Sequence, residues 1–273
     1  QFYKVKTMNG PTSEHFIDPW VNLLKNKGVK FKFNTRVKKI EFKNQLFEKC
    51  WLQDNVTFQA DYCIIAVDAL NLKILANNEN MQTNYPNLVK QCNLSHYPSH
   101  GVQIYLRDLP NKTNTPLWKP GILHFHLSSP WKIVSIIQGT DFWDNVQLPG
   151  NCKYILSATI SPIEIAKDKG CLQDKPFYEY DQRQLVDEIL EQLEFKDKNL
   201  IIDYNIDKHL IWANENQYKD YCQGITAFQS YHREDGNYLI DTMPYYVVEK
   251  HDYANQPRAK TPISNLFLAG VIC

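Results

Sequence analysis

The sequence lacks an excess of charge of either sign. Its 273 residues include 30 lysines and arginines against 30 aspartates and glutamates, so the formal net charge is zero. A protein without a basic surplus has no overall field that would attract a phosphate backbone. Nucleic acid is therefore not expected as a partner.

Paired cysteine motifs and long apolar runs are missing as well. The seven cysteines are odd in number and never spaced as C-x-x-C, which argues against a disulfide framework or a zinc ribbon and favours reduced, structural thiols. No apolar run approaches the roughly 20 residues that a membrane-spanning helix needs. We therefore expect a cytoplasmic protein, and peripheral contact with a membrane stays open.

Glycine is scarce in the first third of the chain. Gly10 and Gly28 are the only glycines before residue 100, so no G-x-G-x-x-G loop is present there to cradle a dinucleotide phosphate. The chain begins at Gln1 without a start methionine or a signal peptide, and it stops at Cys273 just after a strand-like run. These features predict a fragment whose phosphate-binding loop lies further upstream.

The first part of the chain predicts a helix followed by strands. Asp18–Gly28 has the signals of a helix, with Asp18 as the N-cap and a glycine just past the end. Val29–Ile40 alternates between apolar and polar residues, which predicts a half-solvated strand. Gln45–Leu52 and Val56–Gln59 flank a turn-forming triplet, and we expect a short antiparallel meander there.

The next segment differs from these strands because it is continuously apolar. Tyr62–Val67 has the composition of a strand that is covered on both faces. Asp68, which follows it, is suited to cap a helix that extends to Ala76. A buried strand followed by a capped helix is typical of α/β folds.

The middle of the chain, from about residue 91 to residue 207, predicts a second, antiparallel layer. The expected strands are Gly101–Leu106, Gly121–Leu127, Lys132–Gln138 and Lys153–Ile160. One clear helix, Gln182–Phe195, interrupts them, with Leu185 and Ile189 on its apolar stripe. Its charged residues, Glu188 among them, are expected to lie largely off that stripe.

Residues with the chemistry of an active site are sparse. His124 and His126 lie two apart in a predicted strand and so share a face, but no third metal ligand is evident, and no metal is expected. Cys152 and Cys273 are interpreted as structural thiols. A G-x-S-x-G nucleophile motif is absent. No catalytic residue is assigned from the sequence.

Three segments, taken in order, point to a family. They are Gly10–Glu41 (GPTSEHFIDPWVNLLKNKGVKFKFNTRVKKIE), Ala60–Val67 (ADYCIIAV) and the run from Tyr238 to Gly270, which ends in NLFLAG. Together they resemble the second half of FAD-dependent oxidoreductases of the flavin amine oxidase and phytoene desaturase superfamily, most closely its desaturase-like branch.

This resemblance implies a set of cofactor-binding residues. The main chain of Val37 would meet the FAD adenine, and Ala66 would end the strand that closes the nucleotide-binding sheet. Gly270 would bring backbone close to the ribityl and pyrophosphate part of the flavin, because glycine has no Cβ. Val271 stands where the family usually has an acidic or hydroxyl residue.

The same resemblance places the substrate next to an aromatic segment. The chain is rich in tyrosine between Trp212 and Tyr253, and in the family the segment before the final strand lies near the flavin ring. Tyr245 and Tyr246 are the expected pocket residues. A packed core is the alternative interpretation, since aromatic residues dominate cores and interfaces.

The resemblance also implies a fold and a division into domains. The fold class is α/β (α+β), with a remnant of a Rossmann-like FAD-binding domain in residues 1–75 and 247–273. Residues 76–246 would form a substrate domain with a mixed or antiparallel sheet and flanking helices.

The implied function is an FAD-dependent oxidoreductase that oxidises or desaturates a largely apolar, isoprenoid- or lipid-like molecule. The fragment alone is expected to be inactive, because it lacks the N-terminal FAD-binding segment of the same chain, which is its expected partner. Two alternatives remain open, a flavin amine oxidase and a non-enzymatic module that resembles the prenyl-protein chaperones of the same fold.

Overall fold

The computed structural model describes most of the chain. The described residues are 8–92, 95–97, 99–110, 118–140, 143, 146–161, 167–224, 228–232, 235–242, 245–247 and 253–270. They divide into two compact units. The first comprises the described residues of Gln1–Phe31 and Ser99–Lys208, and the second those of Lys32–Pro98 and His209–Cys273.

Helices and strands are mixed, and most strand pairs are antiparallel, consistent with the predicted α/β class. The helices are α1 (Asp18–Asn26), α2 (Ala69–Ala76), α3 (Glu79–Asn84), α4 (Leu88–Gln91), α5 (Gln182–Gln192) and α6 (Glu215–Gly224). The strands are β1 (Val37–Lys43), β2 (Leu46–Leu52), β3 (Thr57–Gln59), β4 (Cys63–Ile65), β5 (Ser95–Tyr97), β6 (His100–Leu106), β7 (Leu123–His126), β8 (Ile133–Gly139), β9 (Tyr154–Ile160), β10 (Ile201–Ile206), β11 (Leu210–Ala213), β12 (Phe228–His232), β13 (Tyr238–Asp241), β14 (Tyr245–Val247) and β15 (Leu266–Leu268).

The first unit is built on a five-stranded sheet. Its strands lie in the order β10-β6-β9-β8-β7, and every neighbouring pair is antiparallel. Along β8, Ile133 and Ile137 are buried while Val134 and Ile136 are partly exposed, so one face of the strand faces the core. The predicted antiparallel layer in the middle of the chain is confirmed.

The predicted amphipathic helix is α5, which starts with a capping box. The Asp181 carboxylate accepts from the backbone N–H of Gln184, and the Gln184 side chain accepts from the backbone N–H of Asp181. Leu185 and Ile189 are buried as expected. Glu188 is also fully buried, so the prediction that it lies off the apolar stripe is wrong.

Donors from a loop and from two side chains explain the burial of Glu188. Its carboxylate accepts four hydrogen bonds, from the backbone N–H groups of Cys171 (2.5 Å) and Leu172 (2.8 Å), the Tyr180 hydroxyl (3.1 Å) and the Gln192 amide (2.8 Å). Burial, and then the charge of Glu188, raise the pKa of Tyr180, so that its hydroxyl stays a donor. A buried carboxylate is tolerated when such donors compensate for its lost hydration.

The N-terminal helix differs from its prediction in how it begins. A π-helical turn, Ser13–Ile17, runs directly into α1, and Asp18 has helical dihedral angles, so it is not the N-cap. Gly28 follows the helix with φ +88°, as expected for a glycine that ends a helix.

The strand predicted over Val29–Ile40 starts only at Val37. Asn34 has φ +53°, a left-handed conformation that an extended strand does not contain. Asparagine tolerates this conformation better than most residues. The alternation of side chains therefore continues through a segment whose backbone is not a strand, and the strand prediction for Val29–Ile40 is wrong for its first eight residues.

The second unit contains the predicted meander and a short parallel pair. Strands β1, β2 and β3 form the antiparallel meander. Strand β15 pairs in parallel with β4, with Leu266 opposite Cys63 and Leu268 opposite Ile65. The two sheets share one apolar cluster, which includes Ile40, Phe47, Ile65, Leu266 and Leu268.

The parallel pair is covered on one face only among the residues that the structure describes. Ile65 and Leu268 are buried, but Ile64 is 66% exposed and its neighbour Tyr62 is 68% exposed. The expectation of a strand covered on both faces is thus met on one side.

A salt-bridge cluster on the meander gives a test of pH dependence. Glu41 lies 2.7 Å from the Lys39 ammonium and 3.2 Å from that of Lys49. The hydrogen bond from Lys39 is the main cause that lowers the pKa of Glu41 from 4.5 to about 2. Because the folded-state pKa is depressed, this stabilisation is present above the unfolded-state pKa and is lost as pH falls toward about 2.

We expect Glu41→Gln to lower the free energy of unfolding by about 1 kcal/mol at about pH 7, since the lysines are partly exposed and solvent screens the pair. The difference from the parent protein should shrink progressively below about pH 4. Urea unfolding of both proteins at about pH 7 and at a pH below about 4 measures the two free-energy differences. An equal loss at the two pH values would show that the ion pair is not its cause.

Candidate functional site

The carboxyl ends of the two parallel strands lie side by side. Leu268 is in register with Ile65, and the backbone N–H of Ala269 donates to the Ile65 carbonyl over 2.9 Å. Ala66 and Gly270 therefore leave the sheet at the same edge. Ligands of α/β proteins commonly bind at this edge of a parallel sheet.

Gly270 has the backbone conformation and the open surroundings that a ligand contact needs. Its φ of +107° is one that residues with a side chain rarely adopt, and it is exposed. Apart from its chain neighbours, a Cβ placed on it would meet no atom of the described residues within 4 Å. The space beside this glycine is thus open to a ligand. A larger residue at this position would have a strained backbone.

Val37, at the start of β1, offers its main chain at the open edge of the meander. β1 is an edge strand of its sheet. The ladder hydrogen bond at this point runs from the Gln53 N–H to the Arg36 carbonyl over 2.8 Å. Because successive residues of a strand turn their N–H and C=O groups to opposite sides, those of Val37 face away from β2. Its side chain packs against the apolar cluster.

A polar network connects the start of β1 with the helix that follows β4. The Arg36 guanidinium donates to the Asn71 side chain over 3.1 Å, and the Asn71 amide donates to the Asp68 carboxylate over 2.6 Å. Asp68 also caps α2, accepting from the Asn71 N–H over 2.9 Å, as the sequence predicted. We call Val37, Ala66 and Gly270 the strand-end site.

The Asp68 carboxylate accepts from the Asn71 N–H at the start of α2, and its negative charge disfavours a phosphate at that helix end. Sequence reasoning missed Arg36 and Asn71, which show no motif and acquire their role only through the fold. It named all three residues of the strand-end site, and the structure places them in one unit. Their role in binding FAD stays a prediction.

The remaining predicted site residues are less fully described. Tyr245 and Tyr246 lie on β14, which pairs antiparallel with β5, so that Tyr245 is opposite Tyr97 and Tyr246 is opposite His96. The assignment of the two tyrosines to a substrate pocket stays a prediction. Val271 lies outside the described residues.

The two histidines of β7 contact each other and a neighbouring serine. The ring centroids of His124 and His126 are 6.4 Å apart, and the His126 Nε2 lies 2.9 Å from the Ser135 hydroxyl. Burial, and then the neighbouring His124, lower the pKa of His126. In the described part of the chain, no group of three or more His, Cys, Asp or Glu side chains is arranged to bind a metal ion.

Three of the described cysteines have the properties of structural thiols. Burial raises the pKa of Cys63 to about 11 and that of Cys92 to about 12, so neither is a thiolate at neutral pH. Cys152 is buried, donates to the Tyr154 carbonyl and also has a raised pKa. Cys273 lies outside the described residues.

Within the described residues, none of the helices combines the length and the apolar character required to cross a bilayer.

Comparison with known proteins gives a likeness of fold. No protein-family model matches the sequence, and no curated protein matches it. Among solved structures, the chain is similar to an oxidoreductase from Methanosarcina mazei, with 13% identity and a TM-score of 0.51 over 94% of this chain and 48% of that one. It is also similar to two variants of putrescine oxidase made for redesign of cofactor binding.

The double mutant of putrescine oxidase has 12% identity and a TM-score of 0.55, and the triple mutant has 12% identity and a TM-score of 0.53. Each comparison covers 94% of this chain and 47% of the other. The chain thus spans about half the length of these structures. At such identities the likeness shows the fold alone, and that fold is one found in oxidoreductases, putrescine oxidase among them.

Proposed function

We propose that this chain is the C-terminal part of an FAD-dependent oxidoreductase that oxidises or desaturates a largely apolar, isoprenoid- or lipid-like small molecule. The observation that carries the proposal is the strand-end site. There, an open glycine with φ +107° and the small residue Ala66 end two parallel strands. The fold found in known oxidoreductases supports the same reading.

The residues of the strand-end site fit the groups of FAD that the family places there. The outward N–H and C=O of Val37 would pair with the adenine edge, and the backbone of Gly270 would approach the ribityl and pyrophosphate part. When bound, FAD supplies the hydride-accepting chemistry. The protein would then orient the cofactor and exclude water, which requires no acid or base among the residues described.

A partner segment is part of the proposal. The phosphate-binding loop would come from an N-terminal FAD-binding segment of the same chain, because the start of α2 is occupied by Asp68. That segment would also cover the exposed side chains of Tyr62 and Ile64, since parallel sheets are normally buried on both faces. With this face covered, the Rossmann-like domain proposed for residues 1–75 and 247–273 would be complete.

The substrate class follows from the desaturase-like ending of the sequence. Tyr245 and Tyr246 would line the pocket, and peripheral contact with a bilayer would give access to a lipid-like substrate. The second candidate is a flavin amine oxidase, which the similarity to putrescine oxidase favours. The two candidates share the cofactor and differ in whether the oxidised carbon bears an amine.

The absorption spectrum of the full-length protein tests the cofactor. Absorption bands at about 370 and 450 nm, typical of oxidised flavin, are expected in the purified protein. Reduction of these bands under anaerobic conditions by an isoprenoid hydrocarbon, and not by a diamine, would support the desaturase-like activity, and the reverse would support the amine oxidase. A well-folded protein without flavin bands, even after incubation with FAD, would favour the non-enzymatic chaperone-like module.

A further inference from the structure

We infer that Asn265 is a positioning residue for the cofactor, because it fixes the register of β15 and through it the place of Gly270. This inference rests on the proposed function, since it assigns Asn265 a role in holding FAD. The side chain of Asn265 does not belong to the strand-end site. It lies at the opposite, amino end of β15.

The Asn265 amide binds the meander as a neighbouring strand would. Its Oδ1 accepts from the Phe47 N–H over 2.8 Å, and its Nδ2 donates to the Phe47 carbonyl over 3.0 Å. The same Nδ2 donates to the Asp61 carbonyl over 2.9 Å. The main-chain carbonyl of Asn265 accepts from the Cys63 N–H over 2.9 Å. One residue thus connects β15 with β2 and with the entry to β4.

Only an asparagine side chain meets these requirements at this length. Both Nδ2 hydrogens have carbonyl acceptors and Oδ1 has a backbone donor, so three of the four hydrogen-bonding positions of the amide are filled. An aspartate has the same shape but no donor, and it would place negative charge beside the carbonyl oxygens of Phe47 and Asp61. An alanine would remove all three side-chain hydrogen bonds without adding charge.

The parallel pair needs such a residue because it is short. β4 and β15 each contain three residues, so the ladder between them has few hydrogen bonds of its own. A slip of one residue would move β15 by about 3.3 Å and exchange its buried and exposed faces. Leu266 and Leu268 would then leave the apolar cluster. Gly270 would then lose its present position relative to β4.

A hydroxyl at the turn before β15 supports the same register. Thr261 is buried, and its hydroxyl lies 2.7 Å from the Leu266 carbonyl and 3.0 Å from the Ile263 carbonyl. It also accepts from the Ile263 N–H over 3.1 Å. Thr261 shapes the turn locally, whereas Asn265 reaches Phe47, 218 positions away in sequence. The long-range connection therefore depends on Asn265.

The experiment measures FAD affinity and stability separately in the full-length protein. Asn265→Asp is compared with the parent protein and with Asn216→Asp, which makes the same chemical change at an exposed position of α6. The dissociation constant of FAD is measured by titrating apoprotein, at a temperature where circular dichroism shows every variant folded. We expect the dissociation constant of FAD to rise about tenfold or more in Asn265→Asp, as affinity falls in metal sites when a residue that orients a ligand is replaced. In Asn216→Asp, the dissociation constant should stay unchanged.

Each outcome decides between positioning and a purely structural role. A lower melting temperature with an unchanged FAD dissociation constant would overturn the inference while leaving the proposed function intact. Absence of FAD binding by the parent protein would reject the proposed function, and the inference with it. If Asn265→Asp does not fold, Asn265→Ala is measured against the same criterion. Failure of both to fold would assign Asn265 to folding and reject the positioning role.

Discussion

Replacing Gly270 by leucine is expected to remove nearly all FAD from the full-length protein while its core stays folded. A leucine Cβ would meet no atom of the described residues within 4 Å apart from its chain neighbours, so the new side chain would project into the space that the proposed flavin contact requires. The φ of +107° adds backbone strain of about 1–3 kcal/mol for a residue with a Cβ, which a shift of the backbone would relieve. Both effects displace the backbone groups that would approach the cofactor.

The measurement for Gly270→Leu is bound flavin per protein after gel filtration, with circular dichroism as the folding control. We expect FAD affinity to fall at least about tenfold, equivalent to about 1.4 kcal/mol or more of binding free energy, and bound flavin to fall with it. Gly270→Ala serves as the matched variant, because it has the same backbone strain and adds a single methyl group. Its retention of flavin should be intermediate. Full flavin occupancy in folded Gly270→Leu would refute the proposed contact.

Val37→Pro tests the other end of the strand-end site. Proline removes the N–H that would meet adenine, so FAD affinity should fall. Damage to β1 is limited because the N–H of Val37 faces the open edge of the sheet, where proline is tolerated. Thermal unfolding followed by circular dichroism separates the two effects. Unchanged affinity in a folded Val37→Pro variant would exclude a hydrogen bond from this N–H.

Replacing Glu188 by glutamine is expected to destabilise the protein by about 3 kcal/mol or more. The carboxylate accepts all four of its hydrogen bonds, and an amide of the same shape would turn an NH₂ group toward at least one donor. A buried donor that loses its acceptor costs about 1–3 kcal/mol, and more when the lost acceptor was charged. The loop at Cys171 and Leu172 should loosen first, because the backbone N–H groups of these two residues donate to the two oxygens of this carboxylate.

Urea unfolding of the full-length protein measures the effect of Glu188→Gln. Glu191→Gln is the matched control, since Glu191 lies on the same helix, is exposed and has only a surface ion pair with Lys196. Its change should stay within about 0.5 kcal/mol. A similar small change in Glu188→Gln would show that the loop donors find water or other acceptors when the carboxylate is lost.

Several features of the fold could be predicted because their causes are local. The turn at Gln53–Asn55 and the strands on either side follow from residue types within a few positions. Asp68 caps α2 through its own side chain and an N–H three residues later. The strands predicted at Lys132–Gln138 and Lys153–Ile160 are present as β8 and β9, and they pair antiparallel within the predicted layer. Local patterns failed where one residue type had two uses, as for Asp18, which lies inside a helical run rather than at its start.

The strand-end site could be anticipated only by resemblance, and its geometry is a product of tertiary structure. Nothing near Ala66 in the sequence indicates that β15, some two hundred residues later, ends beside it. The buried place of Glu188 depends on donors contributed by a separate loop, and periodicity within α5 cannot reveal them.

By itself, the sequence determined the meander, the capped helix α2 and four strands of the five-stranded sheet, because these depend on side chains within a few positions of one another. Tertiary structure alone decided where Asn265 makes its hydrogen bonds, with Phe47 at 218 positions and Asp61 at 204 positions from it. It also decided that Gly270 follows a strand that pairs with β4. Such contacts form between segments that only the folded chain brings together, and no local pattern records which of them will meet.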